Sequence, residues 1–447
     1  MVKKLKIKLV ILCILSLLLC GCSASVENML TPPKLTAEQN DIYGALIKSA
    51  GQNVKLKYPR NGDYRSAFVL QNLDNEPDDE AMVFYESSNV QSGESSLRIK
   101  FLDKHDGKWE SVYDVPCAGS EIDSISFTTL GNTGFVDIII RYTLLNQTEK
   151  VFSVLKYDSL TPKNMHTSSY SCLEVYDVND DGLNELLAVS VDKINNTSTA
   201  VMFTDGDNGF EKLSETVLHG GAADYIRVTK GKLPDNRTAI FLDYTKGGGQ
   251  SGTDVLYCYG NSLYNPDSIG ANPAAGLISR LVNNYMSEIY CYDIDGDGFM
   301  EIPSTTPLPG YETLTKPEQL CAVMWYTVSD DKFHLKHYSY FSSKYRFALL
   351  FPNRWRGVVT AVPDFDRNEI VFIAYKADSG LNDIESNELM RIRSVDKDDE
   401  QAIEASRGLK LLGETEETLF YCIETAEYKS GSLALTESEL QNSFIML

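Results

Sequence analysis

The chain has 447 residues, 63 of them acidic and 41 basic, for a formal charge of −22. Such a surface repels nucleic acid and anionic lipid headgroups and attracts cations, so no nucleic-acid partner is expected. The 25 Tyr and 18 Phe exclude a disordered chain, and only five His argue against a His-based metal enzyme.

At the N-terminus, Lys3, Lys4, Lys6 and Lys8 precede an apolar run from Leu9 to Cys20. That run has the length of a signal-peptide core and falls short of a membrane span. It ends in Leu19-Cys20-Gly21-Cys22, which resembles a bacterial lipobox. The resemblance implies removal of residues 1–21 and lipidation of Cys22, anchoring the chain at the extracytoplasmic face of the cell membrane. An ordinary signal peptide or an uncut anchor is the alternative. Losing the four lysines takes the formal charge from −22 to −26. Residues 22–35 are small and polar with Pro32 and Pro33, and read as a tether. No later apolar stretch is long enough to span a membrane.

A helix follows the tether. Thr36 and Gln39 form a capping box, and Ile42, Leu46 and Ile47 share one apolar face. Beyond it the chain repeats. Residues 175–189 read Val-Tyr-Asp-Val-Asn-Asp-Asp-Gly-Leu-Asn-Glu-Leu-Leu-Ala-Val, and residues 291–302 read Cys-Tyr-Asp-Ile-Asp-Gly-Asp-Gly-Phe-Met-Glu-Ile. Residues 72–80, Asn-Leu-Asp-Asn-Glu-Pro-Asp-Asp-Glu, keep the acidic spacing. Residues 129–137 and 232–240 keep the strand-turn-strand outline but lose most of the acids. The units start roughly 45–60 residues apart, within the range of propeller blades. Later hairpins at 104–109, 205–210 and 329–333 bring each unit to four strands. Residues 265–284 are an insertion or a degenerate unit.

The pattern Asp-x-Asp-x-Asp-Gly-x-x-Glu between apolar strands resembles the FG-GAP or VCBS repeat family, whose loops occur in integrin-type propellers. The resemblance covers about residues 64–340. It implies a mainly β chain, a β-propeller of five to seven blades over residues 36–340. A sandwich built from the same strands is the alternative. Alternate residues of such a loop turn their oxygens inward, and calcium takes six to eight oxygen ligands. The expected ligands are Asp177, Asn179, Asp181, Glu185 and the Leu183 carbonyl, and then Asp293, Asp295, Asp297, Glu301 and the Phe299 carbonyl. Gly182 and Gly298 allow the sharp turn. The first loop offers Asn72, Asp74, Glu76, Asp78 and Glu80, but Pro77 stands where the glycine would. The competing reading is that all three are solvated turns.

Residues 341–447 read as a small α+β domain. Strands are expected at 345–351, 357–362, 369–375, 388–395 and 417–425, with a short helix at 399–405. A last helix is capped by Thr436 and Glu439 and carries Leu440, Phe444 and Leu447 on one face. The aromatic-Pro-x-x-Trp opening and the closing helix resemble a PsbP-like or Mog1-like domain.

Of the nine cysteines, Cys117, Cys172, Cys258, Cys291, Cys321 and Cys422 lie past the lipobox, with no CxxC spacing for zinc or thioredoxin-type chemistry. Export permits disulfides, yet buried free thiols in strands are the preferred reading. Nucleophile-elbow, HExxH and Walker motifs are absent, and Lys246–Gly252 reads as a hairpin tip. His334 and His337 are expected on opposite strand faces. The expectation is a non-enzymatic scaffold or binding lipoprotein for cell-wall polymer or an envelope protein. The alternatives are a propeller enzyme acting on envelope glycans and an envelope assembly factor.

Overall fold

The computed structural model describes residues 35–447 except 75, 89, 91–94, 145–149, 159–160, 207–208, 219–220, 266–288, 330–331, 379, 382–383, 385–386 and 426–430. The signal peptide, Cys22, all but the last residue of the tether and nearly all of the 265–284 insertion lie outside the described residues. Among the described residues no helix is long and apolar enough to cross a membrane. The chain is mainly β, in several antiparallel sheets.

It divides into two compact units. One holds the described residues up to Tyr58 together with Ser66–Cys117. Its helix α1 (Ala37–Ala50) has the expected capping box, with Thr36 N–H on Gln39 Oε1 and Gln39 N–H on Thr36 Oγ1, both at 3.1 Å. Ile42 and Leu46 are fully buried against Ala81, Val83, Tyr85 and Leu102 of sheet one. In that sheet Glu80–Ser87 pairs along one edge with both Val54–Leu56 and Phe68–Gln71, and along the other with Leu97–His105. The hairpin to Lys108–Pro116 turns on Asp106 and Gly107, at φ 51° and 75°. Two left-handed residues are what a two-residue hairpin turn needs.

The other unit holds Pro59–Arg65 and Ala118–Leu447. Sheets two (residues 121–170), three (172–217) and four (224–264) are four-stranded meanders in chain order, as the repeats imply. Sheet five runs from Ile302–Pro307 to Phe347–Phe351, and sheet six spans residues 359–424. Their central strands are apolar on both faces: Ile138, Ile139 and Ile140 are all fully buried. A strand covered on both sides carries continuous apolar residues in place of alternation. One core joins Ile139, Phe152 and Val154 of sheet two to Leu186 and Phe203 of sheet three. Others link sheets three and four, four and five, and five and six in the same way. The sheets are separate meanders, not strands of one closed barrel.

The expected boundary at 340/341 falls inside a strand, Lys332–Ser342. Leu308, Tyr311, Ala322 and Tyr338 share one core with Trp355, Phe372, Ile392 and Phe420. The expected strands of the C-terminal region are present within two residues of their predicted ends, and so is the short helix α2 (Glu400–Ala405). The first of these strands belongs to sheet five, and the other four, with Lys410–Glu414, build sheet six on the same core. The last helix, α3 (Glu437–Ser443), has its capping box but stops one residue before Phe444. Phe444–Met446 instead pairs with Phe347–Leu349 at the edge of sheet five. Phe444 and Leu447 are therefore not helical. The Phe444 ring, 4.9 Å from Phe347 and 5.7 Å from Phe420, gains burial that a continued helix would not give it.

Candidate metal centres

Each repeat loop leads into a strand: Glu80, Asp137 and Glu185 open Glu80–Ser87, Asp137–Thr143 and Glu185–Asp192, and Glu301 lies one residue before Ile302–Pro307. Glu80, Asp137, Glu185 and Glu301 are 1, 0, 2 and 0% exposed. Each accepts the N–H seven residues earlier: Leu73 at 2.6 Å, Leu130 at 2.9 Å, Val178 at 2.9 Å and Ile294 at 3.0 Å. The bond closes the loop, and the strand register fixes it. Burial pushes all four carboxyls up to about 7. A carboxyl this far from water is held by a proton or by a nearby cation. Asp137 was missed from sequence because its unit has lost the other acids. The constant seven-residue offset was the signal that would have found it.

In the 177–185 loop the Asp177 carboxylate accepts Asp181 N–H at 3.1 Å and Gly182 N–H at 3.0 Å. Asp181 accepts Leu183 N–H at 2.9 Å and Asn179 Nδ2 at 2.9 Å. Gly182 has φ 89°, a value that side chains other than hydrogen resist. Among the described residues no ammonium or guanidinium pairs with Asp177, Asp181 or Glu185. Lys230 and Lys232 instead pair with Asp180, at 3.0 and 3.3 Å. Lys230 also donates to the Asp177 carbonyl.

In the 293–301 loop Gly298 N–H donates to Asp293 at 2.8 Å, and Phe299 N–H to Asp297 at 3.0 Å. Asp293, Asp295 and Asp297 each present an oxygen, all within 4.8 Å of one another. Asp293 Oδ1 is buried with no hydrogen-bond partner. Two residues that were not expected at the loop enter from sheet five. Lys336 Nζ lies 2.9 Å from Asp295, 2.5 Å from Asp297 and 2.8 Å from Glu301. Burial pulls its ammonium down, but the carboxylates outweigh this and hold it above the ordinary lysine range. His337 Nε2 lies 2.7 Å from Asp295 Oδ2. A register shift at Trp325/Tyr326 accompanies this strand pair.

The 72–80 loop is looser. Glu76 N–H donates to Asp74 at 3.0 Å and the Asn72 amide to the Glu76 carbonyl, while Asp78 is exposed. Among the described residues three acidic ligand atoms converge only in the 293–301 loop. Both glycine-bearing loops present the oxygen donors that calcium takes, and in the 293–301 loop Lys336 already holds three of the carboxylates.

A second polar cluster lies in sheet four and the segment after it. Asp243, 2% exposed, accepts Thr253 Oγ1 at 2.5 Å and the Cys291 thiol at 3.3 Å. Burial pushes its carboxyl up to about 6, against hydrogen bonds from both and the charge of Arg227. The Arg227 guanidinium lies 4.8 Å from the Tyr292 ring and 5.6 Å from Tyr290. Among the described residues none of the six cysteines past the lipobox forms a disulfide. Lys246–Gly252 forms the tip of a sheet-four hairpin.

No family model matches the sequence, and no curated protein matches it. Among solved structures, the chain is similar to exotype rhamnogalacturonan lyase YesX (9% identity, TM-score 0.29, 73% of this chain and 82% of that one). It is also similar to rhamnogalacturonan lyase YesW (10%, 0.30, 72% and 74%) and to a Bacillus licheniformis rhamnogalacturonan lyase (11%, 0.29, 64% and 68%). Each of these structures is a rhamnogalacturonan lyase, and the expectation of a non-enzymatic chain is withdrawn. At this identity and TM-score the likeness transfers no reaction or substrate.

Proposed function

We propose that this chain is an exported lipoprotein, lipidated on Cys22, with its acidic loops holding structural calcium in a β-propeller that engages cell-envelope polysaccharide. The tether at 22–35 lifts the repeat body from the membrane, and successive sheets serve as blades. The observation that carries the reading is the run of alternating oxygen donors closed by a buried glutamate in both glycine-bearing loops, Asp177, Asn179 and Asp181 with Glu185, and Asp293, Asp295 and Asp297 with Glu301. Three carboxylates so close repel one another, and a divalent cation cancels that repulsion while cross-linking the loop. The metal's part is to fix loop geometry. The chain's residues orient the donors through Gly182, Gly298 and the buried Glu185 and Glu301.

The test is co-sedimentation of the detergent-solubilised full chain with isolated cell walls, in calcium and in chelator. Retention in calcium and loss in chelator is expected. Equal absence from the wall fraction in both would overturn the polysaccharide assignment.

Cleavage of envelope glycans is the second reading. Its local support is Asp243, a carboxyl raised toward neutrality within the field of Arg227, whose guanidinium faces Tyr290 and Tyr292, since such shifts cluster at functional sites. New sugar ends released from wall polysaccharide, and lost in folded Asp243→Asn, would establish it. Release unchanged in that variant would remove Asp243 from the reaction.

A further inference from the structure

Buried acids in these repeats meet a positive charge from the chain itself in some units and not in others. In sheet two, Lys156 is the register partner of Asp137 and lies 2.5 Å from the fully buried Asp205 of sheet three. In sheet six, Glu369 opens a strand as Glu80 and Glu185 do, and takes Arg391 at 3.1 Å and Arg393 at 2.6 Å. In sheet five, Lys336 lies between 2.5 and 2.9 Å from three loop carboxylates. The 177–185 loop differs: Lys230 and Lys232 pair with the carboxylate of Asp180, which is not one of the alternating donors, and Lys230 reaches Asp177 only at its backbone carbonyl.

From this we infer that Lys336 is the resident cation of the 293–301 loop. It staples that loop without a metal and weakens calcium there by direct competition, leaving the 177–185 loop as the site through which calcium acts. The inference rests on the calcium reading above and assigns it to one loop. A tethered ammonium is always present at high local concentration, and its three contacts occupy oxygens that a divalent cation would need. Calcium entering the 293–301 loop must expel it, exposing an uncompensated lysine among packed strands. At the 177–185 loop no such exchange is required, because amide N–H groups are the carboxylates' only partners among the described residues.

The experiment is calcium titration calorimetry on the detergent-solubilised full chain, comparing wild type, Asp181→Asn, Asp297→Asn and Lys336→Met. Wild type is expected to bind one tight equivalent, lost in Asp181→Asn and kept in Asp297→Asn. Lys336→Met is expected to gain a second equivalent, tighter by roughly tenfold or more than any weak second phase in wild type, the scale of removing one close charge. If Asp297→Asn loses a tight equivalent that Asp181→Asn retains, the assignment is reversed and wrong while the calcium reading stands. Two equal tight sites in wild type, with no gain in Lys336→Met, overturn the role of Lys336. Absence of binding in all folded variants overturns both. Should Lys336→Met not fold, the Asp181 and Asp297 pair still decides the assignment.

Discussion

A carboxyl group with no water around it carries its charge only where something nearby answers it. Asp137 shows the consequence in a loop that has lost its other acids. Its folded-state value near 7 lies above the ordinary 3.8, so the folded chain keeps a proton that the unfolded chain gives up. Its stabilising contribution is complete below pH 3.8 and is lost as pH climbs through 7. Asp137→Asn keeps an acceptor for Leu130 N–H and is predicted to flatten that part of the pH–stability profile by an amount on the order of a few kcal/mol. Urea melts at pH 5 and pH 8 measure it, and an unchanged difference between them would contradict the assignment. Gly131 constrains the same loop: at φ 58°, a Cβ there would stand 2.1 Å from the Asp205 carbonyl oxygen. Gly131→Ala is predicted to lower stability by about 1–3 kcal/mol, from left-handed backbone and overlap together. Trp355, fully buried with its indole N–H on the Leu433 carbonyl at 2.7 Å, is a larger anchor. Trp355→Ala is predicted to cost about 3–5 kcal/mol in denaturant melts; a loss under 1 kcal/mol would place it outside the core.

At the level of elements, the strands, the capped helices and the acidic turns were legible because their signals are local. Thr36 with Gln39, Asp106 with Gly107, and the Asp-x-Asp spacing each act within a few residues. The contacts between elements were not legible. Nothing near Lys336 in sequence marks it as the partner of Asp295 and Asp297, about 40 residues away; only the strand pairing brings it there. The C-terminal boundary was misread for the same reason. A capping box at Thr436 predicts where helix α3 starts, but sheet five, nearly 100 residues earlier in the chain, decides where it stops. A fragment of residues 341–447 is therefore predicted to remain unfolded alone, since Leu308, Tyr311, Ala322 and Tyr338 complete its core. Dispersed amide resonances from that fragment would contradict the shared core and restore the separate domain.

Across the whole molecule, the net charge of −22 is the condition under which the acidic loops must fold. The chain answers part of that charge with its own lysines and arginines, at Lys156, Lys336, Arg391 and Arg393, and the account assigns part of the remainder to calcium. Cation binding to the folded state alone raises stability by mass action, about 2.7 kcal/mol at a hundredfold excess over the dissociation constant. The most direct measurement is the melting temperature of the full chain in detergent, in chelator and then in excess calcium, for wild type and Asp181→Asn. A rise of several degrees in wild type that Asp181→Asn abolishes is expected. The same melting temperature in chelator and in calcium would contradict it, leaving the acidic loops as turns held by backbone N–H groups and the chain's own cations.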